Sequence, residues 1–451
     1  MPRTYFGNPA AGFAEWVRAG PRGPGKSAAQ QNRCGVNMYA LIAMALALVF
    51  LVVLLHLKIK LGRAMLLSSV AIAMLLRVTP AEFWRTAADE WRSKPLSQTT
   101  GYLFITLTAL VILVNVLGEA MKETGVSQRL VSAIEGIFRS RRFALAAIPM
   151  MMGMLPTPGG IMLSAPMVRD LGDHIGIDRS HSAAINFFFR HQLETVWPLF
   201  PAVPLIQSMF GISAYALVSH NIAIALSGTL AGVVFLLLRG IPARKGNGRS
   251  TGRFRDNALN FVRAFWPIVL VAALYAAANL PPALGILLAV FIFLTVQKVP
   301  LSRWGRIFKS GADWDFALLV LGALLFKLNL QAGEAIDSVV LFLTEMNVPR
   351  HFLIFFLPLL VGFLTGLTMP TVAITFPFLM PFIGTGSEAK VGLETLAFSG
   401  LVCGLLLTPV HLCMALSASY FEAPLTKIVL RLLGPVVFVA GAGVLMAVFF
   451  G

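Results

Sequence analysis

The sequence predicts an all-α polytopic membrane protein made of two inverted repeats, each with five transmembrane spans and a re-entrant hairpin. Three observations lead there. Of 451 residues, 57% are hydrophobic and only 12% are charged, whereas ordinary soluble domains carry about a quarter charged residues, so the apolar excess must face lipid. Apolar runs approaching the ~20 residues that a bilayer-crossing helix needs recur along the chain. Two further apolar segments, one per half, carry prolines and glycines at their middles. The formal charge of +16 sits in short runs between apolar segments, as topology signals do, so no nucleic-acid partner is expected. Cys34, Cys403 and Cys413 form no metal-ligand spacing, so neither a disulfide framework nor a metal cluster is expected.

In chain order, residues 1–37 are Gly-, Pro- and Ala-rich with five basic side chains and no signal-peptide pattern. They read either as a disordered tail or as a start codon placed ahead of Met38. Repeat 1 covers 38–238, with spans at 38–57, 64–78, 102–118, 183–210 and 214–238 and a hairpin at 143–168. A basic, Gly-rich linker follows at 239–263. Repeat 2 covers 264–451, with spans at 265–280, 283–297, 314–330, 393–415 and 432–450 and a hairpin at 352–383. Pro156, Pro158, Gly159 and Gly160 interrupt the first hairpin, and Gly366 and Pro370 the second. Proline removes an intrahelical hydrogen bond and clashes with the preceding turn, so each segment reads as two short helices. The connectors 119–139 and 331–348 mix charge with apolar spacing and read as helices lying along the interface. Lys327, near the end of its span, is expected to snorkel outward.

Loop charge sets orientation. With the first span running inward, 23 basic residues fall inside and six outside, the tail and the two within spans excepted. This puts 239–255 in the cytoplasm and 384–392 outside. The halves also align. Arg141 to Gly153 matches Arg350 to Gly362 without a gap at an offset of 209, sharing Arg, Phe, Pro and Gly. Pro166 and Pro198 match Pro377 and Pro409 at an offset of 211, so the second hairpin tip is two residues longer.

Inverted hairpins bring helix N-termini near Ile161 and Thr371 to mid-depth, where their free N–H groups suit an anion. Trp197-Pro198, Pro201, Pro204 and Thr408-Pro409 break the following spans and free the carbonyls of Glu194, Trp197, Phe200 and Leu405 for a cation. Charged residues at lipid depth suggest function. Arg190 and Glu194, four apart, read either as a structural ion pair or as an Arg fork for a carboxylate held by Glu194 between substrates. His191 and Glu194 alone lack the further ligands of a metal site. His411 is either proton-responsive or a satisfied interior histidine. Candidate substrate contacts are Thr157, Gly159, Gly160, Asn186, Arg190, His191, Thr368, Thr371 and His411. Candidate coupling-ion ligands are Thr157, Ser164, Glu194, Thr195, Thr371 and Thr408, because hydroxyl and carbonyl oxygens suit Na⁺. No other cofactor is expected.

The stretch Gly153 to Gly160 through Ser164-Ala165-Pro166-Met167-Val168, then Asn186, Phe189-Arg190-His191 and Trp197-Pro198-Leu199, resembles the ion transporter superfamily, and most of all an uncharacterised family of predicted integral membrane permeases within it. The resemblance implies a scaffold domain holding a moving transport domain, usually in a homodimer, with organic anions as common substrates. The Ser-Asn-Thr signature of the superfamily's divalent-anion symporters is replaced here by Pro156-Thr157-Pro158 and Met369-Pro370-Thr371. The expectation is a secondary active transporter of the bacterial inner membrane, moving a small organic anion by alternating access with Na⁺ or H⁺ coupling. The alternatives are an exporter of an inorganic or non-anionic solute, or an intramembrane enzyme, for which neither a His-Glu-x-x-His run nor paired aspartates occur in the spans.

Overall fold

A computed structural model describes residues 28–137, 140–154, 161–239, 241 and 254–451. Thr157, Gly159 and Gly160, most of the tail and most of the linker lie outside the described residues. Those described are helical, with no strand among them. The first half holds α1 (Ala28–His56), α2 (Leu61–Leu75), α3 (Pro80–Ser93), α4 (Thr100–Glu123), α5 (Val126–Ile137), α6 (Arg141–Gly153), α7 (Ile161–Ile175), α8 (Arg179–Arg190), α9 (Ala202–Phe210) and α10 (Ala214–Gly232), the last extended by a π turn to Leu238. The second half repeats the order: α11 (Phe254–Ala278), α12 (Pro282–Val296), α13 (Leu301–Gly311), α14 (Trp314–Ala332), α15 (Ala335–Glu345), α16 (Arg350–Thr365), α17 (Thr368–Ile383), α18 (Val391–Leu407), α19 (Leu412–Tyr420) and α20 (Leu425–Phe450).

Seven helical stretches are long and apolar enough to cross a membrane: α1, α4, α10, α11, α14, α18 with α19, and α20. The number is eight if α2 and α3, bent by 112° from one another, form one span. This is a multi-pass membrane protein, with fewer full-length spans than the ten read from sequence. The 183–210 segment is broken, because prolines at 198, 201 and 204 deny it a continuous ladder. The 283–297 segment is the 15-residue α12, about 22 Å long against a ~30 Å hydrocarbon core. After α2 the chain turns sharply at Arg77, in the left-handed conformation, and α3 starts on a Thr79–Glu82 capping box with Pro80 in its first turn. The amphipathic α3 and α13 stand where the sequence reading, whose spans end at 78 and 297, placed only loops.

Four sets of helix contacts recur on exchange of the halves. α5 packs on α11 and α15 on α1; α4 packs on α12 and α14 on α2; α7 packs on α19 and α17 on α9; α8 meets α20 and α18 meets α10. The sequence-matched glycines take the same part. A Cβ on Gly153 would lie 2.1 Å from the Arg190 carbonyl oxygen, and one on Gly362 would lie 3.0 Å from that of Leu401. Arg190 and Leu401 are themselves matched at the offset of 211, so the same helix pair closes to backbone contact in both halves.

Lys327 does not snorkel. It is 3% exposed, and its Nζ lies 3.2 Å from Glu90 Oε1, which also takes Lys94 at 2.8 Å. The other Glu90 oxygen accepts the Thr100 hydroxyl at 2.7 Å. Because α3 packs over α14, an outward path for the ammonium is closed and a counter-charge must come to it. Burial alone would raise the Glu90 pKa, but Lys327, Lys94 and Thr100 outweigh it and hold the carboxyl at about 2, below its ordinary 4.5. A depressed carboxyl contributes stability that is complete above its unfolded pKa and is lost as pH falls through the folded one. Melting of detergent-solubilised protein should therefore lose this contribution between about pH 4.5 and 2. Glu90→Gln should flatten that acid limb and cost about 3 kcal/mol at neutral pH, since Lys327 is left buried without its partner. An acid limb unchanged in Glu90→Gln would remove the pair from the account.

Candidate functional site

Helices that stop inside an apolar body leave C-terminal carbonyls and N-terminal N–H groups without partners. Here the breaks in the chain supply them. α6 ends at Gly153, and its last turn is met by Arg190 Nη1 on the Met152 carbonyl at 3.0 Å and Trp197 Nε1 on the Met154 carbonyl at 2.8 Å. In the second half the Thr408 hydroxyl donates to the Phe363 carbonyl at 2.5 Å. Trp197 and Thr408 are matched positions, as are Met154 and Phe363, so one seal recurs in both halves with different donor chemistry. A cation at a helix C-terminus is also favoured by the helix dipole, which gives the 5%-exposed Arg190 a positioning role at α6.

Between α8 and α9 the chain runs through turns from His191 to Pro201, and between α18 and α19 through 408–411. These two stretches face each other. His191 Nδ1 lies 2.7 Å from the Phe187 carbonyl, and His411 Nδ1 lies 2.6 Å from that of Gly366, the left-handed residue closing α16. Carbonyls only accept, so both Nδ1 atoms carry the proton and both Nε2 atoms are presented elsewhere. They face each other at 3.0 Å. Cys413 Sγ joins them, all three donor atoms lying within 4.8 Å of one another. Beside them Glu194, from the first half, accepts the hydroxyl of Thr368, the first residue of α17 in the second half. Its other oxygen is buried and has no hydrogen-bond partner among the described residues.

Of the residues singled out in sequence, Arg190, His191, Glu194, Thr368 and His411 thus converge. The expected bond between Arg190 and Glu194 is not the one Glu194 makes: α8 ends at Arg190, so the one-turn spacing of a helix does not apply, and the carboxylate turns to Thr368. Asn186 and Ser164 form a second knot, with Ser164 Oγ 2.6 Å from Asn186 Oδ1 and Asn186 Nδ2 3.4 Å from Ser417 Oγ, which ties α7 and α8 to α19. Thr371 bonds the Leu367 carbonyl at 2.6 Å and faces Thr365 at 3.0 Å, so its hydroxyl serves helix ends. Thr195 is buried with its hydroxyl unpartnered among the described residues. The second arm of the later segment starts at Thr368 rather than Thr371, because Pro370 is tolerated in a first turn. The carbonyls of Trp197 and Phe200 accept turn bonds from Phe200 and Val203, both at 3.0 Å, and are not the freed ligands expected.

Cys413 was missed. Its partners stand far away in sequence, and the only local signal is its place two residues after His411 at the start of α19. Two cavities of about 350 and 290 Å³ share Gln98 and Ser208; the first runs between α4, α9 and the α11–α12 turn, and the second is lined by Lys94, Lys327 and Gln331.

No curated protein compared with the chain matches it. Residues 39–450 match the model of a family described as protein of unknown function, DUF401, and the chain belongs to that family.

Proposed function

We propose that the protein is a secondary active transporter that moves a small organic anion by alternating access, coupled to Na⁺ or H⁺. The placement of Glu194 carries this reading. A helix N-terminus of exposed N–H groups is an anion site, and at α17 the first-turn hydroxyl of Thr368 holds a carboxylate that belongs to the other half. Glu194 stands where a substrate carboxylate would bind. An arriving anion exchanges with it, Arg190 and the α7 and α17 N-termini supply the positive field, and the displaced Glu194 carries the coupling proton or helps hold Na⁺. Lys94 and Lys327, which line the second cavity and share Glu90, leave one net positive charge there to draw anions inward. On this reading the His and Cys side chains bind rather than attack, and the protein is not an enzyme.

The halves are then inverted repeats. The α6–α7 and α16–α17 pairs are re-entrant hairpins whose helices, 13 to 16 residues long, turn back at mid-depth. They move with α8–α10 and α18–α20 as a transport domain against a scaffold of the remaining helices, in a homodimer of the bacterial inner membrane. The matched seals at Met154 and Phe363 and the recurring helix contacts support this arrangement, as does the resemblance to the ion transporter superfamily.

Two experiments test it. His174 and Thr385 are exposed at matched positions of the two halves, so single cysteines there should be labelled by an impermeant thiol reagent from opposite faces; labelling from the same face would contradict inversion. In purified protein, a panel of mono-, di- and tricarboxylates should raise the melting temperature for at least one member. Glu194→Gln should then tighten that anion about tenfold, equivalent to about 1.4 kcal/mol, while uptake into proteoliposomes loses its dependence on the ion gradient. Unchanged affinity together with intact coupling would refute the exchange role.

A further inference from the structure

We propose that His191, His411 and Cys413 form a binding site for a transition-metal cation of the Zn²⁺ class, joining the two chain breaks at the centre of the molecule. The geometry points there independently of the transport reading. Both imidazoles spend their Nδ1–H on backbone carbonyls, those of Phe187 and Gly366. Their Nε2 lone pairs are thereby aimed at each other across 3.0 Å, a contact that repels unless a cation lies between them. A shared proton would relieve it for two nitrogens alone. The third donor, Cys413 Sγ, within 4.8 Å of both, turns the pair into a convergent set of borderline-soft ligands.

The chemistry matches on four counts. Two imidazole nitrogens and a thiolate suit Zn²⁺ or Co²⁺ far better than Na⁺, Mg²⁺ or Ca²⁺. Ring N–H groups bonded to carbonyls are the outer-shell arrangement that fixes ligand tautomers in metal sites. Three protein ligands leave a fourth position for water or an incoming solute. The Arg190 charge nearby is spent on the Met152 carbonyl at the α6 C-terminus. Binding is balanced without redox chemistry: the Cys413 thiol loses its proton to solvent, the thiolate and both Nε2 atoms form bonds to the cation, and no electron is transferred. Because His191 comes from the first half and His411 with Cys413 from the second, the cation would clamp the two halves at their shared centre.

The test uses full-length protein with Cys34→Ser and Cys403→Ser, titrated in detergent with Co²⁺. The expected result is a single Co²⁺ per chain with a thiolate-to-cobalt charge-transfer band and the intense d–d bands of tetrahedral coordination, displaced by Zn²⁺. The charge-transfer band should vanish on adding Cys413→Ser, a near-isosteric change, and the d–d intensity should fall in His411→Gln, with an unchanged apo melting curve reporting that each variant folds. No charge-transfer band in the folded protein, or one that survives Cys413→Ser, would overturn the proposal and leave His191 and His411 as a proton-sharing pair.

Discussion

A backbone group buried away from water must find its partner within the protein, and much that is distinctive in this molecule follows from helices that end against one another in its interior. α6 ends at Gly153, α8 at Arg190, α16 at Thr365 and α18 at Leu407, and buried polar side chains gather at these ends. Each stop obliges another part of the chain to bring a donor or an acceptor. Trp197 and Arg190 answer the end of α6, Thr408 and His411 answer the end of α16, and Glu194 answers the start of α17. The polar centre is in the first place the set of side chains that satisfies these helix ends, and its chemistry comes from the groups that do so.

The site lies where the sequence match between the halves breaks down. At the offset of 211, Arg190, His191 and Glu194 stand opposite Leu401, Val402 and Leu405, while His411 and Cys413 stand opposite Phe200 and Ala202. Each half is polar where the other is apolar. A symmetric centre would have placed like charges together, whereas this one brings a carboxylate to a helix N-terminus and a guanidinium to a C-terminus, both favourable with the dipole. The first break is also longer, because three prolines crowd 198–204 where the second half has Pro409 alone, and it is this slack that carries Glu194 across to α17.

Much of the frame could be read from the chain, because hydrophobic length, proline and charge are local signals. The connectors 119–139 and 331–348 hold α5 and α15, the second broken segment divides into α16 and α17, and the matched Gly153 and Gly362 make close backbone contacts; the tip of the first broken segment lies outside the described residues. Span number was overread: the 183–210 and 283–297 stretches are apolar enough to cross but not continuous or long enough. The site was legible only as a set of suspicious residues. Which of them touch depends on contacts across hundreds of residues, so Lys327 was sent outward although Glu90 waits beside it. Glu194 was paired with Arg190 by helical spacing, but α8 ends at Arg190, four residues short of Glu194, and Cys413 passed as an apolar-segment cysteine.

The central claim is that the two breaks enclose one centre that opens to each side of the membrane in turn. Cys413 sits in it and is native, so a protein lacking Cys34 and Cys403 carries its own reporter. The most direct measurement is the labelling rate of Cys413 by an impermeant maleimide, with chelator present, in right-side-out and inside-out vesicles, under opposed ion gradients. The account predicts labelling from both faces, with the favoured face reversing as the gradient is reversed. Labelling confined to one face under every gradient would contradict it.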